Sequence, residues 1–333
     1  MSRTRFLVFL TVIGLLPMSV PPSSGTSAPP PDDLQSKIRV RVKSDLVGAG
    51  DFGWDFSICP VGTVAMGGGV DTAGPLDLTL VTTGPTINSR TMKSMGAGTY
   101  GPANGWFGGA KSSALGSEPF KLGAICVPRS SDTSTIVVAG TVSSFFGHKE
   151  LVCPADTVAL GGGVDVSNMS NMTVTSSAPL FGGMMPSLIS PGVYAAPGGW
   201  GGGAARGATD QSFYVGVVCG QMTGIRSVVV HGSLPAHGTT HLEAACPVGF
   251  AAIGGGVSAT NLYTAQVTAS GPAYGPDLAG MISGPDGLRP APDGWEADVR
   301  NDGATTPTVA VVAICAHWPL VYFTGDEPPT PDR

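Results

Sequence analysis

From Ile38 the chain reads "IRVRVK", with Ile38, Val40 and Val42 alternating against Arg39, Arg41 and Lys43. A period of two places the apolar set on one face of an extended strand. "TIVVAGTV" and "SVVVHGSL" carry the same pattern further along. Leu78, Leu80 and Thr82 alternate with Thr79, Val81 and Thr83. Met172, Val174 and Ser176 alternate with Thr173, Thr175 and Ser177, and Ala265, Val267 and Ala269 with Gln266, Thr268 and Ser270. These segments predict strands with one apolar face and one solvated face of hydroxyls and amides. In a further strand Leu122, Ala124 and Cys126 share a face, as do Val215, Val217 and Cys219, and Val311, Ala313 and Cys315. Each of those cysteines therefore points into a core. No segment has a helical period, so the expected fold class is all-β.

The pattern recurs as a whole. "CPVGTVAMGGGV" from Cys59 returns as "CPADTVALGGGV" from Cys153 and "CPVGFAAIGGGV" from Cys246, at spacings of 94 and 93 residues. Pro85, Pro179 and Pro272 follow in register, then Trp106, Trp200 and Trp295, each after a glycine. The unit closes on Cys126, Cys219 and Cys315. Repeats of this kind mean one structural unit used three times. The expected boundaries are 37–130, 131–224 and 225–322, three homologous antiparallel modules of ~93 residues, each of five to seven strands and sandwich-like or prism-like. The connections "VPRSSDTST" and "GQMTGIR" are short, so the modules are expected to pack together, around a pseudo-threefold axis or as beads. The glycine triplets precede no helix and no Lys-Ser/Thr pair. They read as backbone geometry, where a Cβ would clash, and not as a phosphate cradle.

Residues 1–28 have Arg3 and Arg5, an apolar run from Phe6 to Leu16, and small residues after it, as a secretory signal does. That run is shorter than the ~20 residues needed to span a bilayer, and no membrane span is expected after cleavage. A linker over 29–36 and a Pro-rich acidic tail over 323–333 flank the repeats. The expected location is secreted, extracellular or cell surface. Export makes six cysteines a disulfide framework. The chain carries net charge −6, and loss of Arg3 and Arg5 deepens that. No basic run survives to follow a phosphate backbone, which excludes nucleic acid as a partner. Charged residues are 12%, about half the usual share, so Ser, Thr, Gly and Asn must cover the surface.

The spelling C-P-x-x-x-x-A-φ-G-G-G-V (φ apolar), then Gly-Trp, then A-I-C, resembles a family of secreted proteins from actinobacteria and related bacteria. There, one module runs from a "CPAG…LGGG" opening to a "W…N…YAICA" closing. The third repeat is nearest, with "CPVGFAAIGGGV" and "GWEADVRNDGATTPTVAVVAICA". The first two depart in the closing half, where Asn301 has no clear counterpart and "YAICA" becomes "GAICV" and "GVVCG". The resemblance covers most of residues 38–318 and brings no catalytic residues with it. Because the module also occurs singly, it implies disulfides within repeats: Cys59–Cys126, Cys153–Cys219 and Cys246–Cys315. Equal spacing within each unit agrees. The rival scheme pairs Cys126 with Cys153 and Cys219 with Cys246, with Cys59–Cys315 closing a ring.

Candidate chemistry is sparse. His237 and His241 are four apart with Glu243 nearby, but Gly238, Thr239 and Thr240 speak against the helix that would make the spacing a zinc site. No metal and no cofactor is expected. Asp71 and Asp165 share the position after "GGGV", where the third copy has Ser258. Residues shared among repeats are explained by the fold before they are explained by three active sites. Lys111, Arg206 and Arg300 recur after each tryptophan and are read as stems covering apolar surface. The tryptophans are read as anchors. The long variable loops 86–104, 180–198 and 273–293 are the expected binding surface, through Tyr100, Phe181, Tyr194 and Tyr274. The expected function is a non-catalytic structural or adhesive protein that binds an extracellular protein or glycan. A carbohydrate-binding lectin is the alternative, and a secreted hydrolase a distant third.

Overall fold

A computed structural model describes residues 38–72, 77–129, 132–143, 145–206, 210–275 and 280–317. The expected signal peptide, linker and acidic tail lie outside the described residues. Repeat 1 contributes β1 (Arg39–Val47), β2 (Phe52–Ile58), β3 (Thr63–Thr72), β4 (Leu78–Thr86), β5 (Gly98–Tyr100), β6 (Gly105–Ser112) and β7 (Glu118–Pro128). Repeat 2 contributes β8 (Thr133–Val142), β9 (Phe146–Val152), β10 (Val158–Val166), β11 (Met172–Leu180), β12 (Gly192–Tyr194), β13 (Gly199–Arg206) and β14 (Gln211–Gly220). Repeat 3 contributes β15 (Ile225–Ser233), β16 (Thr239–Ala245), β17 (Phe250–Ala259), β18 (Ala265–Ala273), β19 (Gly287–Arg289), β20 (Gly294–Asn301) and β21 (Thr308–His317). Single turns break the variable loops: α1 (Met92–Met95) and two 3-10 turns, Pro186–Leu188 and Met281–Ser283.

The repeats exchange strands. The three sheets have the orders β16-β20-β18-β3-β7-β1-β19, β2-β6-β4-β10-β14-β8-β5 and β12-β15-β21-β17-β11-β13-β9. Each joins four strands of one repeat to three of the next: repeat 3 to 1, 1 to 2, and 2 to 3. We call them the 3–1, 1–2 and 2–3 sheets. The ring closes, so each sequence repeat is split between two sheets. The short strand of each variable loop pairs onto the outer strand of the neighbouring repeat, as in Thr99 opposite Ile136 and Val193 opposite Val228.

The glycine triplets sit where the three repeats meet. A Cβ built on Gly67 would lie 2.4 Å from the Ile253 carbonyl oxygen and 2.8 Å from Gly254 Cα. On Gly161 it would lie 2.3 Å from Met66 O, and on Gly254 2.1 Å from Leu160 O. The contacts run 67 to 254 to 161 and back to 67, which is a pseudo-threefold axis. The middle glycines, Gly68, Gly162 and Gly255, lie under the rings of Trp106, Trp200 and Trp295. All three indoles are fully buried. Their N–H groups donate to Thr83 Oγ1 at 2.9 Å, Ser177 Oγ at 3.1 Å and Ser270 Oγ at 3.0 Å.

Those hydroxyls correct one expectation. The polar rows of β4, β11 and β18 do not form a solvated face; every residue of β4 is buried. Thr83, Ser177 and Ser270 serve the indoles, and Thr82 and Thr86 bond neighbouring chain instead of water. The alternation also slips by one at a bulge found in each copy, between Leu80 and Thr82, Val174 and Ser176, and Val267 and Ala269. In β1 the simple pattern holds, with Val40 and Val42 buried and Arg41 and Lys43 exposed.

Disulfides join Cys59 to Cys126, Cys153 to Cys219 and Cys246 to Cys315. Cys59 follows β2 of the 1–2 sheet, while Cys126 lies in β7 of the 3–1 sheet. Each bond thus spans a seam between two sheets. Chain entropy for loops of 67, 66 and 69 residues amounts to about 4 kcal/mol each. Three such bonds belong to an oxidising, non-cytoplasmic compartment. Among the described residues no helix is long and apolar enough to cross a membrane.

Candidate functional site

On the outer side of each sheet a variable loop folds back over the residue that follows "GGGV". In the 1–2 sheet Asp165 accepts the Lys93 backbone N–H at 2.6 Å and the Thr82 hydroxyl at 3.1 Å. In the 2–3 sheet Ser258 Oγ accepts the Ser187 N–H at 3.0 Å. In the 3–1 sheet a Cβ on Gly280 would meet Glu296 Oε1 at 1.8 Å and Asp71 Oδ2 at 2.7 Å. The shared position therefore anchors the loop of the preceding repeat. Burial pushes the Asp165 carboxyl up, against the hydrogen bonds that lower it.

Beside each anchor lies an outward row of the second strand of a repeat, and here the copies diverge. Cross-strand register makes Phe52, Trp54 and Phe56 in β2 equivalent to Phe146, His148 and Glu150 in β9, and to Thr239, His241 and Glu243 in β16. One position thus carries an aromatic row, a mixed row or a Thr-His-Glu row.

In the 3–1 sheet acidic groups gather beside this position. Asp71 and Glu296 are both buried, and their carboxyl groups converge on Gly280. Burial and the negative charge of Asp71 hold Glu296 well above the usual carboxylate range, so it keeps its proton at neutral pH. His241 bonds Asp298 through Nδ1 at 2.9 Å and Glu243 through Nε2 at 2.8 Å. Its pKa is pushed up to about 9, chiefly by the Asp298 hydrogen bond. No group of three or more acidic, His or Cys side chains among the described residues is disposed to hold a metal. In the 2–3 sheet burial holds the His148 pKa down.

The 1–2 sheet presents an open cleft of roughly 690 Å³. One wall is Phe52, Trp54 and Phe56. The facing wall is Thr91, Lys93 and Ser94 of the loop, with Asp165 at the floor and Ser167–Ser170 and Gln211 beyond. Phe52 and Trp54 are exposed at 39% and 45%, and the Trp54 ring meets Phe56 edge-on at 5.3 Å. The aromatic residues occupy the outward row of β2, and the inward row is small or polar, with Gly53, Asp55 and Ser57. Gly53 there sits 3.1 Å, as a built Cβ, from the Leu46 carbonyl, and Ser57 donates to Arg41 O. The Lys93 ammonium donates to Ser167 O at 2.7 Å, and that of Lys111 to Ser170 O. Lys93 thus lines the cleft, and Lys111 is tied to one of its lining residues, Ser170.

The loop aromatics face inward more than was expected. Phe181 is buried on Val229, Ala310 and Val312, with the Tyr194 ring at 5.3 Å. The Tyr100 hydroxyl donates to Met95 O at 2.6 Å, and that of Tyr194 to Ser190 O at 2.5 Å. Tyr274 is largely buried under the Arg289 guanidinium, 5.4 Å from its ring, and burial pushes its hydroxyl pKa up. These rings clasp their loops to the sheets; the groups lining the open cleft are Trp54 and its neighbours. Sequence reasoning passed over Trp54 and Glu296. Aligning "FGWDFSI" with "FGHKELV" and "TTHLEAA" would have exposed the divergence. Lys111 and Arg300 reach the next repeat, Arg300 bonding Gln266 at 2.9 Å and Thr79 at 3.3 Å. No protein-family model and no curated protein matches this sequence.

Proposed function

We propose that this is a secreted, non-catalytic β-repeat protein with an adhesive role, binding one extracellular partner through the cleft of its 1–2 sheet. The observation that carries the reading is the aromatic row on one of three equivalent faces, with Phe52 and Trp54 open to solvent and Phe56 partly buried beside them. An apolar surface left uncovered beside polar groups is the usual mark of a binding site. The burial of Trp106, Trp200 and Trp295 supports a scaffold role for the repeated residues. The inward packing of Phe181 and Tyr274 moves the weight of binding from the loop aromatics to the cleft. The buried Asp71–Glu296 pair is covered by the loop at Gly280, which favours a structural duty for it over acid–base work on a substrate.

The test compares adhesion of the mature protein and its Trp54→Ala variant to immobilised cell-surface material. Loss of adhesion at an unchanged melting temperature is the expected result. Equal adhesion by both proteins rejects the cleft.

A further inference from the structure

We infer that the 1–2 cleft takes an acidic oligosaccharide, a chain of sugars bearing carboxylates; this rests on the cleft being the binding site. Three features of the cleft lead there.

The first is the ladder of rings. Phe52, Trp54 and Phe56 are alternate residues of one strand, so their Cα atoms step by ~7 Å and span ~13 Å, about two or three consecutive sugar rings. Trp54, 45% exposed and met edge-on by Phe56, brings apolar ring surface for the C–H side of a pyranose and a polar N–H. A globular apolar partner would ask for a closed pocket, whereas this site is an open trough between two walls.

The second is the facing wall. Thr91, Ser94, Ser167, Ser170, Asn168 and Gln211 are hydroxyls and amides, each able to give and accept. That is the complement of vicinal sugar hydroxyls, which also do both. An extended peptide would pair its main chain with the edge of β2, the outermost strand of the 1–2 sheet, whereas the aromatic row lies on the face of that strand.

The third is charge. In a chain of net charge −6, Lys93 lines this wall with its ammonium on the Ser167 carbonyl, and the Lys111 ammonium reaches the carbonyl of Ser170, itself a lining residue. An ammonium has three donors, so each keeps two for a ligand. The nearest acid, Asp165, is buried and already accepts two hydrogen bonds. The equivalent row of the 3–1 sheet has His241 and Glu243 where this one has Trp54 and Phe56. The 3–1 face thus lacks the aromatic ladder, and carboxylate-bearing sugar matches the 1–2 face.

Isothermal titration calorimetry of the full mature chain tests this with three probes: a galacturonate tetrasaccharide, cellotetraose as the neutral chain, and a Glu-rich tetrapeptide. The galacturonate should bind, and cellotetraose about tenfold more weakly or not at all. Trp54→Ala should weaken galacturonate binding about tenfold or more, as loss of a central aromatic contact does. Lys93→Gln with Lys111→Gln should abolish both the preference for acid and the salt dependence. Phe52→Ser, at an exposed position, is the second variant should Trp54→Ala fail to fold. Cellotetraose binding as tightly as galacturonate overturns the acidic assignment and leaves the cleft standing. Binding of the peptide alone overturns the carbohydrate. No binding of any probe, with adhesion still dependent on Trp54, overturns this inference only; adhesion independent of Trp54 removes the cleft as well.

Discussion

Replacing Gly67 with alanine probes the axis where the three repeats meet. The new methyl would sit 2.4 Å from the Ile253 carbonyl oxygen and 2.8 Å from Gly254 Cα, both far inside van der Waals contact. Neither atom is a side-chain tip that can rotate aside. Relief requires β17 to move from β3, and β17 is held by β21 along its length. Overpacking a core ordinarily costs 1–3 kcal/mol, and a clash with backbone belongs at the top of that range, about 3 kcal/mol. For a body of roughly 280 residues the unfolding entropy is about 0.6 kcal/mol/K, which makes that a fall of about 5 °C in Tm. Gly116→Ala is the control, since nothing lies within 4 Å of its built Cβ; it should stay within about 0.5 kcal/mol. Gly254→Ala should cost a similar amount alone, and the double variant less than the sum, because one displacement relieves both contacts. Urea unfolding with disulfides intact measures all four proteins. A Gly67→Ala variant as stable as Gly116→Ala would refute the close crossing of the three strands.

Three further outcomes follow from named contacts. Glu296 has a raised folded-state pKa, so its contribution is present at pH below its ordinary 4.5 and is lost as pH rises toward the raised value. His241 contributes below its ordinary 6.5 and loses that contribution as pH rises through about 9. The protein should thus melt at progressively lower temperature between pH 6.5 and 9, and Glu296→Gln should flatten that fall; a slope unchanged in the variant would contradict the buried acid. Ser177→Ala leaves the Trp200 N–H without its acceptor and should cost about 1–3 kcal/mol in denaturant unfolding. Phe181→Ala should cost about 3 kcal/mol, while Leu188→Ser, exposed on the same loop, should cost almost nothing; equal effects would mean that Phe181 is a surface residue.

The strands, the triplication and the closeness of the backbone at Gly67, Gly161 and Gly254 were legible because each is a local pattern repeated three times. The exchange of strands was not. β3 pairs with β7 of its own repeat and with β18 of repeat 3, and the latter contact registers through a single residue pair, Val70 with Ser270. Three copies with one hydrophobic pattern can pair within or between copies at the same period. Orientation was hidden for a similar reason. Alternation says that Phe52, Trp54 and Phe56 share a face, but not that the opposite row, with Gly53 and Ser57, is the one that packs inward. Asp165 was noticed at its repeat position, yet its partner is the backbone of Lys93, 72 residues away, which no spacing rule connects to it.

Differential scanning calorimetry of the mature protein, disulfides intact, tests the shared-sheet architecture most directly. Every sheet draws on two repeats and the ring closes, so no repeat has a complete sheet to itself. The chain should melt in one transition, with calorimetric and van't Hoff enthalpies equal. Three resolved transitions, or a van't Hoff enthalpy near one third of the calorimetric value, would show independent modules and contradict the interlocked axis.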